Sequence, residues 1–402
     1  MDFQNVNPLN VRLNLISGNL LPLTSDDSDF SITWKLYGIC TWLIEVIQII
    51  VLIPGMVLAP WEKVLRDGTV TSVLTVEVFF MITRIYSRRK LTTQLIQRLN
   101  DILRVADKTM KCIVTTTLKP MEFPLKFYWI SGWSSVFAWS CTPFLLILEK
   151  ASFLYEDYRM PVVFSKQPFS TEIFLLGNIF MLFGNMYIFI KKVGLDVYMI
   201  HLVLLITAQY RYISARLVAI FQEESLRNKF NESSRIYPSE IDRSAEKEMK
   251  MICQHYRTVI HLSLTLKKLL SLNFSLIYVN SVFRFCFIGI MVRTVADTTG
   301  STTFVDGLSI FMYACGSIVQ FYVLCFSVQQ LLDASTEITK KAFHEKWYHY
   351  GPSIRRTFMM MILANNLECK VAACDKFNLS LPSFMTIMNQ SYSICLLLLR
   401  SR

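Results

Sequence analysis

The sequence predicts an all-α polytopic membrane protein with seven transmembrane helices. The chain is 53% hydrophobic and only 18% charged, with mean hydropathy +0.39, too apolar for an ordinary soluble domain. Seven apolar stretches are each long enough for a bilayer core about 30 Å thick, which takes roughly 20 helical residues. Lysine and arginine gather in every second gap between those stretches. β-Barrel spans would be shorter and would alternate in polarity, which these do not.

The stretches lie near residues 35–59, 68–86, 126–148, 174–207, 269–292, 303–330 and 379–399. Before them, residues 1–33 read as a polar, rather acidic cytoplasmic segment with Asp2, Asp26, Asp27 and Asp29, and residues 34–402 as the seven-helix domain. No basic n-region with a short apolar core and cleavage site opens the chain, so the first span is expected to act as an uncleaved insertion signal.

Basic residues crowd the gap after the second span (Arg88, Arg89, Lys90, Arg98, Arg104), after the fourth (Arg211, Arg216, Arg227, Lys247, Arg257) and after the sixth (Lys340, Lys341, Lys346, Arg355, Arg356). The positive-inside bias places these gaps in the cytoplasm, with the N-terminus inside and the C-terminus outside. The net charge of +11 is therefore spread over loops beside membrane spans, which argues for topology and against a nucleic-acid partner.

The fourth stretch is the critical one, because Lys191-Lys192-Val193-Gly194-Leu195-Asp196 interrupts it. Two short spans there would put the last basic gap outside, so one long helix running from Phe174 past Arg211 is expected. Within Lys90–Thr109, Leu91, Leu95, Ile96, Leu99, Ile102 and Leu103 form a helical stripe opposite charges, predicting a cytoplasmic extension of the bundle. The polar stretch Phe230–Glu246, with Pro238 and several serines, reads as a mobile loop. The ten cysteines are scattered singly and read as packing residues.

Ionisable residues inside spans are expensive and single out Glu45, Glu77, Arg284 and Asp306. Arg284 is expected to pair with Asp306, and Glu77 to occupy a solvated groove. No glycine-rich phosphate loop or serine nucleophile elbow appears. His344 and His349 are five apart rather than four, unlike a zinc-binding helix. No enzyme activity, cofactor or metal is expected.

The last seventy or so residues carry a more specific pattern. Gln329, Gln330, Ser335 and Ala342 precede Trp347-Tyr348 and Arg355-Arg356. Then come Phe377-Asn378-Leu379-Ser380-Leu381 with Phe384, and finally Asn389-Gln390-Ser391-Tyr392-Ser393. This resembles the C-terminal half of the insect odorant receptors, and Asp196, His201, Gln209, His255 and Cys325 extend the resemblance upstream. Glu368 departs from the family's common proline before the last helix. The resemblance implies a subunit of an odorant-gated, non-selective cation channel in the plasma membrane of olfactory sensory neurons. Its partners would be a small apolar odorant, the lipid bilayer and the common odorant receptor coreceptor, in a heterotetramer.

The same resemblance implies site residues. The odorant pocket would lie in the outer half of the bundle, at Val73, Leu74, Glu77, Phe137, Ser140, Cys141, Phe144, Phe180, Met181, Met186, Phe311, Met312 and Tyr313. Methionines there would let the wall reshape around ligands. The pore would be lined by the last helix, with Cys395 at the constriction and Leu398 beside it. Trp347, Tyr348, Arg355 and Arg356 would anchor subunits to one another in the cytoplasm. Two other readings stand beside this one, a related gustatory-type channel and a seven-helix receptor coupled to a cytosolic transducer. The orientation and the lack of Asp-Arg-Tyr after the third span speak against the second; Ser391-Tyr392-Ser393 in the last helix speaks against the first.

Overall fold

The structure, a computed structural model, describes residues 1–24, 30–60, 63–148, 150–164, 166–230, 238–296, 303–345, 347–373 and 380–400. Among the described residues the regular structure is helical, apart from an isolated bridge between Phe153 and Phe169. The helices are α1 (Phe3–Val6), α2 (Pro8–Ile16), α3 (Ile32–Leu58), α4 (Thr69–Ser87), α5 (Arg89–Arg104), α6 (Lys108–Cys141), α7 (Thr171–Phe230), α8 (Pro238–Ala296), α9 (Thr303–Phe343), α10 (Pro352–Ala373) and α11 (Leu381–Arg400). Among the described residues, six helices are long and apolar enough to cross a membrane: α3, α4, and the helical segments Lys108–Leu148, Thr171–Gln222, Arg243–Arg293 and Phe304–Ile338. The seventh expected stretch is α11.

The bundle is built around α7. Every residue from Lys191 to Tyr210 is buried, so this helix is packed on all sides, with α6, α8 and α9 around it and α2 and α4 against it. It runs unbroken through Lys191-Lys192, as the charge parity requires. Both ammonium groups find partners inside the bundle. Lys191 Nζ donates to the Ser17 carbonyl at 2.8 Å and to Thr41 Oγ1 at 2.9 Å, and sits 4.5 Å from the Trp42 ring centroid. Lys192 turns the other way, to Glu77 Oε1 at 2.8 Å and Asp196.

The N-terminal segment joins the same core, although its sequence reads as polar. Phe3, Leu13 and Leu21 are buried, and so are Asn7, Asn10, Asn14, Ser17 and Asn19. Asn7, Asn14 and Asn19 bond backbone or side-chain groups that the irregular chain would otherwise leave unpaired. Asn7 caps α2 through the Asn10 amide at 3.1 Å and meets His201, Asn14 bridges both backbone groups of Leu21, and Asn19 donates to the Lys191 carbonyl at 3.0 Å.

At the basic end of the bundle, α5 buries Leu95, Ile96, Leu99 and Leu103 and exposes Gln97 and Arg98, the expected amphipathic stripe. The expected loop over Phe230–Glu246 is different in its second part. Residues 231–237 lie outside the described residues, but Pro238 opens α8. A proline at the first helical position forfeits a hydrogen bond the helix would not make anyway, so it starts this helix instead of breaking it.

A cavity above a buried charge cluster as the candidate functional site

At the end opposite the basic stretches, α4, α6, α7, α8 and α9 line a partly open cavity of about 60 Å³. Leu74 stands on α4, Val136 and Trp139 on α6, Asn185 and Ile188 on α7, Met291 on α8, and Ser309, Ile310 and Tyr313 on α9. The lining is mainly apolar. Its polar groups include one carboxylate, Asp67, which also lines the cavity and pairs with Lys63 Nζ at 3.0 Å; Asn185 accepts from Gln48 Nε2 at 2.9 Å and donates to Ser140 Oγ at 3.2 Å, and Ser135 Oγ donates to the Ser309 carbonyl at 2.6 Å. That last bond draws α6 and α9 together beside the cavity.

The segment between α6 and α7 packs against the cavity residue Trp139 and forms the roof of this end of the bundle. Phe153 stacks on Phe174 with centroids 4.0 Å apart, and Tyr158, Met160, Val162 and Phe169 bury with them in a small core against Leu52 and Met181. The roof can lie this close to α3 because Gly55 has no side chain: a Cβ there would collide with the Pro161 backbone. Val163 N donates to the Val51 carbonyl at 3.1 Å in the same seam. Burial pushes the Tyr158 hydroxyl up to about 12, so it stays a neutral donor to the Ile173 carbonyl, 3.3 Å away. One ion pair ties the roof to the wall. Arg159 Nη2 lies 2.8 Å from Asp306 Oδ1 at the top of α9, and its guanidinium lies 5.3 Å from the ring centroid of Trp139.

Beneath the cavity lies a cluster of fully buried charges. Glu77 is one turn below Leu74, about 5 Å at the helical rise, and Lys192 one turn below Ile188. Lys192 bridges Glu77 and Asp196, both at 0% side-chain exposure. Arg284 Nη2 approaches Glu77 Oε2 at 3.9 Å, while its Nη1 donates to Gln320 Oε1 at 3.1 Å. Gln320 Nε2 donates to Asp196 Oδ2 at 3.0 Å and Tyr128 OH to the same oxygen at 3.2 Å. Two cations and two carboxylates balance, drawn from α4, α7 and α8, with α6 and α9 contributing the neutral donors.

These contacts change two expectations. Arg284 does not pair with Asp306: it lies two helical turns below the cavity residue Met291, whereas Asp306 stands in the first turn of α9, at the level of the roof, and is taken by Arg159. Glu77 is not in a solvated groove but has 0% exposure, held there by Lys192.

Of the expected pocket residues, Leu74 and Tyr313 line the cavity. Ser140 and Met186 are buried near it, Ser140 through its bond to Asn185, and Val73, Cys141 and Phe144 are half-buried without lining it. Phe180 and Met181 pack under the roof. Phe137 and Phe311 are 43% and 64% exposed on the outside of the bundle, and Met312 is half-buried on that side of α9. Sequence reasoning missed Asp67, Val70, Thr71, Ser135, Val136, Trp139, Asn185, Ile188, Met291, Ser309 and Ile310. The 3.6-residue period would have found part of the set: Ser309, Ile310 and Tyr313 share one face of a helix, whereas Phe311-Met312-Tyr313 are consecutive and fan out by about 100° each.

On α11, Cys395 lies on the stripe facing α8, where a Cβ on Gly289 would come within 2.6 Å of its Sγ. Ser391 on the same stripe donates to the Val282 carbonyl at 3.2 Å, and Tyr392, Ser393, Leu396 and Leu397 are exposed. The side chain of Leu398 lies outside the described residues. At the basic end, Trp347 packs on Phe358 and Phe343 with centroids 5.5 and 5.9 Å away, and Tyr348, Arg355 and Arg356 are exposed beside it.

Comparison with known proteins bears on the whole chain. The family described as 7tm Odorant receptor matches residues 64–392. Odorant receptor 49a of Drosophila melanogaster is 28% identical over 87 residues, 22% of each chain. Odorant receptor 22c of the same species is 19% identical over 163 residues, 40% of this chain and 39% of that one. The matched stretches thus span from about a fifth to two-fifths of these curated relatives. Among solved structures, the insect olfactory receptor OR5 from Machilis hrabei superposes with TM-score 0.77 at 11% identity, covering 98% of this chain and 97% of that one. The same receptor in complex with eugenol gives 0.75 at 11% identity over 100% of both chains.

Proposed function

Because the chain belongs to the seven-transmembrane odorant receptor family, we propose that it is the odorant-binding subunit of a ligand-gated, non-selective cation channel. It would work in the plasma membrane of olfactory sensory neurons, combined with the common coreceptor in a heterotetramer. The observation that carries this reading is the mainly apolar cavity in the outer part of the bundle. A small volatile molecule offers mostly hydrophobic surface, and an apolar wall with a few placed polar groups suits it. At about 60 Å³ the cavity is smaller than the roughly 300 Å³ at which ligand sites begin. An odorant therefore enters by displacing side chains, Met291 and Ile310 foremost, and that displacement is transmitted to the helices that bear them.

The test is expression with and without the coreceptor, recording currents over a panel of odorants and hydrocarbons. Odorant-evoked cation current that requires the coreceptor is expected. Signalling through a G protein with no current would remove the channel reading.

Assembly and pore follow from the same proposal. The basic end exposes Tyr348, Met360 and Leu363 at 56%, 64% and 59%, apolar surface that another subunit would cover. Replacing Trp347 with alanine removes the ring that seats Tyr348 and Phe358, so complex formation should fall before odorant sensitivity does; co-purification with the coreceptor measures it, and normal assembly would count against an anchor here. In the pore, α11 would line the path, with Cys395 and Leu398 at its constriction. Cys395→Ala should alter ion selectivity or abolish block by thiol reagents in the heteromer. Unchanged currents, with block appearing instead in Leu397→Cys, would move the constriction to the exposed face of α11.

A further inference from the structure

A second void, about 750 Å³ and far larger than the internal cavity, is a groove on the outside of the bundle between α3 and α4. Its walls are apolar: Leu52, Ile53 and Met56 on one side, Val76, Phe79 and Phe80 on the other. Three of its hydroxyls are already used, Ser72 donating to the Gly68 carbonyl at 2.7 Å, Thr75 to that of Thr71 at 2.8 Å and Ser87 to that of Arg84 at 2.9 Å. From Ser72 to Ser87 the groove runs fifteen residues of α4, about 22 Å at the helical rise, longer than the roughly 15 Å of one leaflet.

The groove ends at the basic end of α4 in a different chemistry. Arg84 lines it, and Arg84 Nε is buried with no hydrogen-bond partner. Arg88 and Arg89 follow within two turns, the first fixed by a 2.7 Å bond to the Lys268 carbonyl and the second lying 5.6 Å from the Tyr86 ring centroid. A guanidinium offers five donors in a planar fork that suits a phosphate. Basic residues clustered where a span meets the cytoplasmic surface attract anionic lipid headgroups. An apolar trough that finishes in arginines fits a molecule with an alkyl chain and an anionic head.

We propose that this groove binds one anionic phospholipid of the leaflet at the basic end, with an acyl chain between α3 and α4 and its phosphate on Arg84, flanked by Arg88 and Arg89. The opposite face of α4 carries Leu74 and Glu77. A lipid seated in the groove therefore braces the helix that forms one wall of the cavity and one corner of the charge cluster.

The experiment uses the purified full chain and needs no odorant, so its outcome is independent of the channel reading. Retention of phosphatidylserine and of phosphatidylcholine is measured by native mass spectrometry, with glycerophosphoserine as a chainless competitor. One phosphatidylserine should be retained in preference to phosphatidylcholine and should resist the competitor. Arg84→Gln should lower that preference about fivefold, since a charge near the surface contributes about 1 kcal/mol. Thr75→Trp, which fills the trough without touching the arginines, should remove tight retention altogether. Monodispersity on size exclusion confirms that each variant is folded. Equal retention of the two lipids, a preference untouched by Arg84→Gln, or retention unchanged in Thr75→Trp would each overturn the proposal.

Discussion

Lys192→Met should remove most of the protein from the cell surface. The ammonium bridges Glu77 and Asp196 at 0% exposure, so its loss leaves two carboxylates with only Arg284, at 3.9 Å from Glu77, to offset them. Removing one partner of a buried pair costs about 3–5 kcal/mol, a large part of a typical folding stability of roughly 5–15 kcal/mol. Surface biotinylation and thermal melting in detergent would read it. The partner test is the double change Lys192→Met with Glu77→Gln, which restores charge balance and should recover part of the loss. If Lys192→Met reaches the surface and melts like the parent, the cluster does not hold the helices together.

Ile310→Trp should silence odorant activation while leaving assembly and surface delivery intact. Ile310 lines the cavity between Ser309 and Tyr313, and an indole would occupy the space that a ligand must open. The complementary change, Ile310→Ala, should reorder the ligand ranking, because one or two methylenes in an apolar pocket are worth about 1–3 kcal/mol, or roughly 10–200-fold. Concentration–response curves over the panel measure both. Full activation of Ile310→Trp with unchanged ranking would place the odorant elsewhere.

The two changes separate what holds the bundle from what fills it. The charge cluster is a desolvated, balanced set whose members cannot be removed singly without stranding a partner. The cavity above it is lined by side chains that can be exchanged at a modest energy, and Tyr313 lies where the two meet, lining the cavity within the electrostatic field of Arg284 and Glu77. A ligand that presses on Tyr313 or Met291 acts on α9 and α8, the helices that supply Gln320 and Arg284 to the cluster. Arg284, in turn, is two residues from Val282, whose carbonyl receives Ser391 of α11. A displacement in the cavity thus has a continuous packed route toward the last helix.

Much of the fold was legible in the sequence. The spans, the unbroken α7 and the amphipathic α5 follow from hydropathy, charge parity and helical period, which are properties of short windows. The site was legible only in outline. Leu74 and Tyr313 were named, but Phe311 and Phe137 face outward, because an apolar residue in a membrane helix is equally at home against lipid and against another helix. Hydropathy therefore does not mark the inward face. Asn185 and Trp139 line the cavity because Gln48 and Arg159, remote in sequence, hold them there.

The N-terminal segment shows the same limit from the polar side. Asn7, Asn14 and Asn19 read as loop residues, and become core because each meets an otherwise unpaired group on a distant element. What the amino-acid sequence determined by itself is a helical membrane bundle, its spans and its odorant receptor kinship, since these rest on composition, period and short motifs. Only the tertiary structure decided that Lys192 belongs to Glu77, that Arg159 belongs to Asp306, and which face of α9 lines the cavity. Charges and polar groups leaving water must find partners wherever packing brings them, and that choice is made across the whole bundle rather than along the chain.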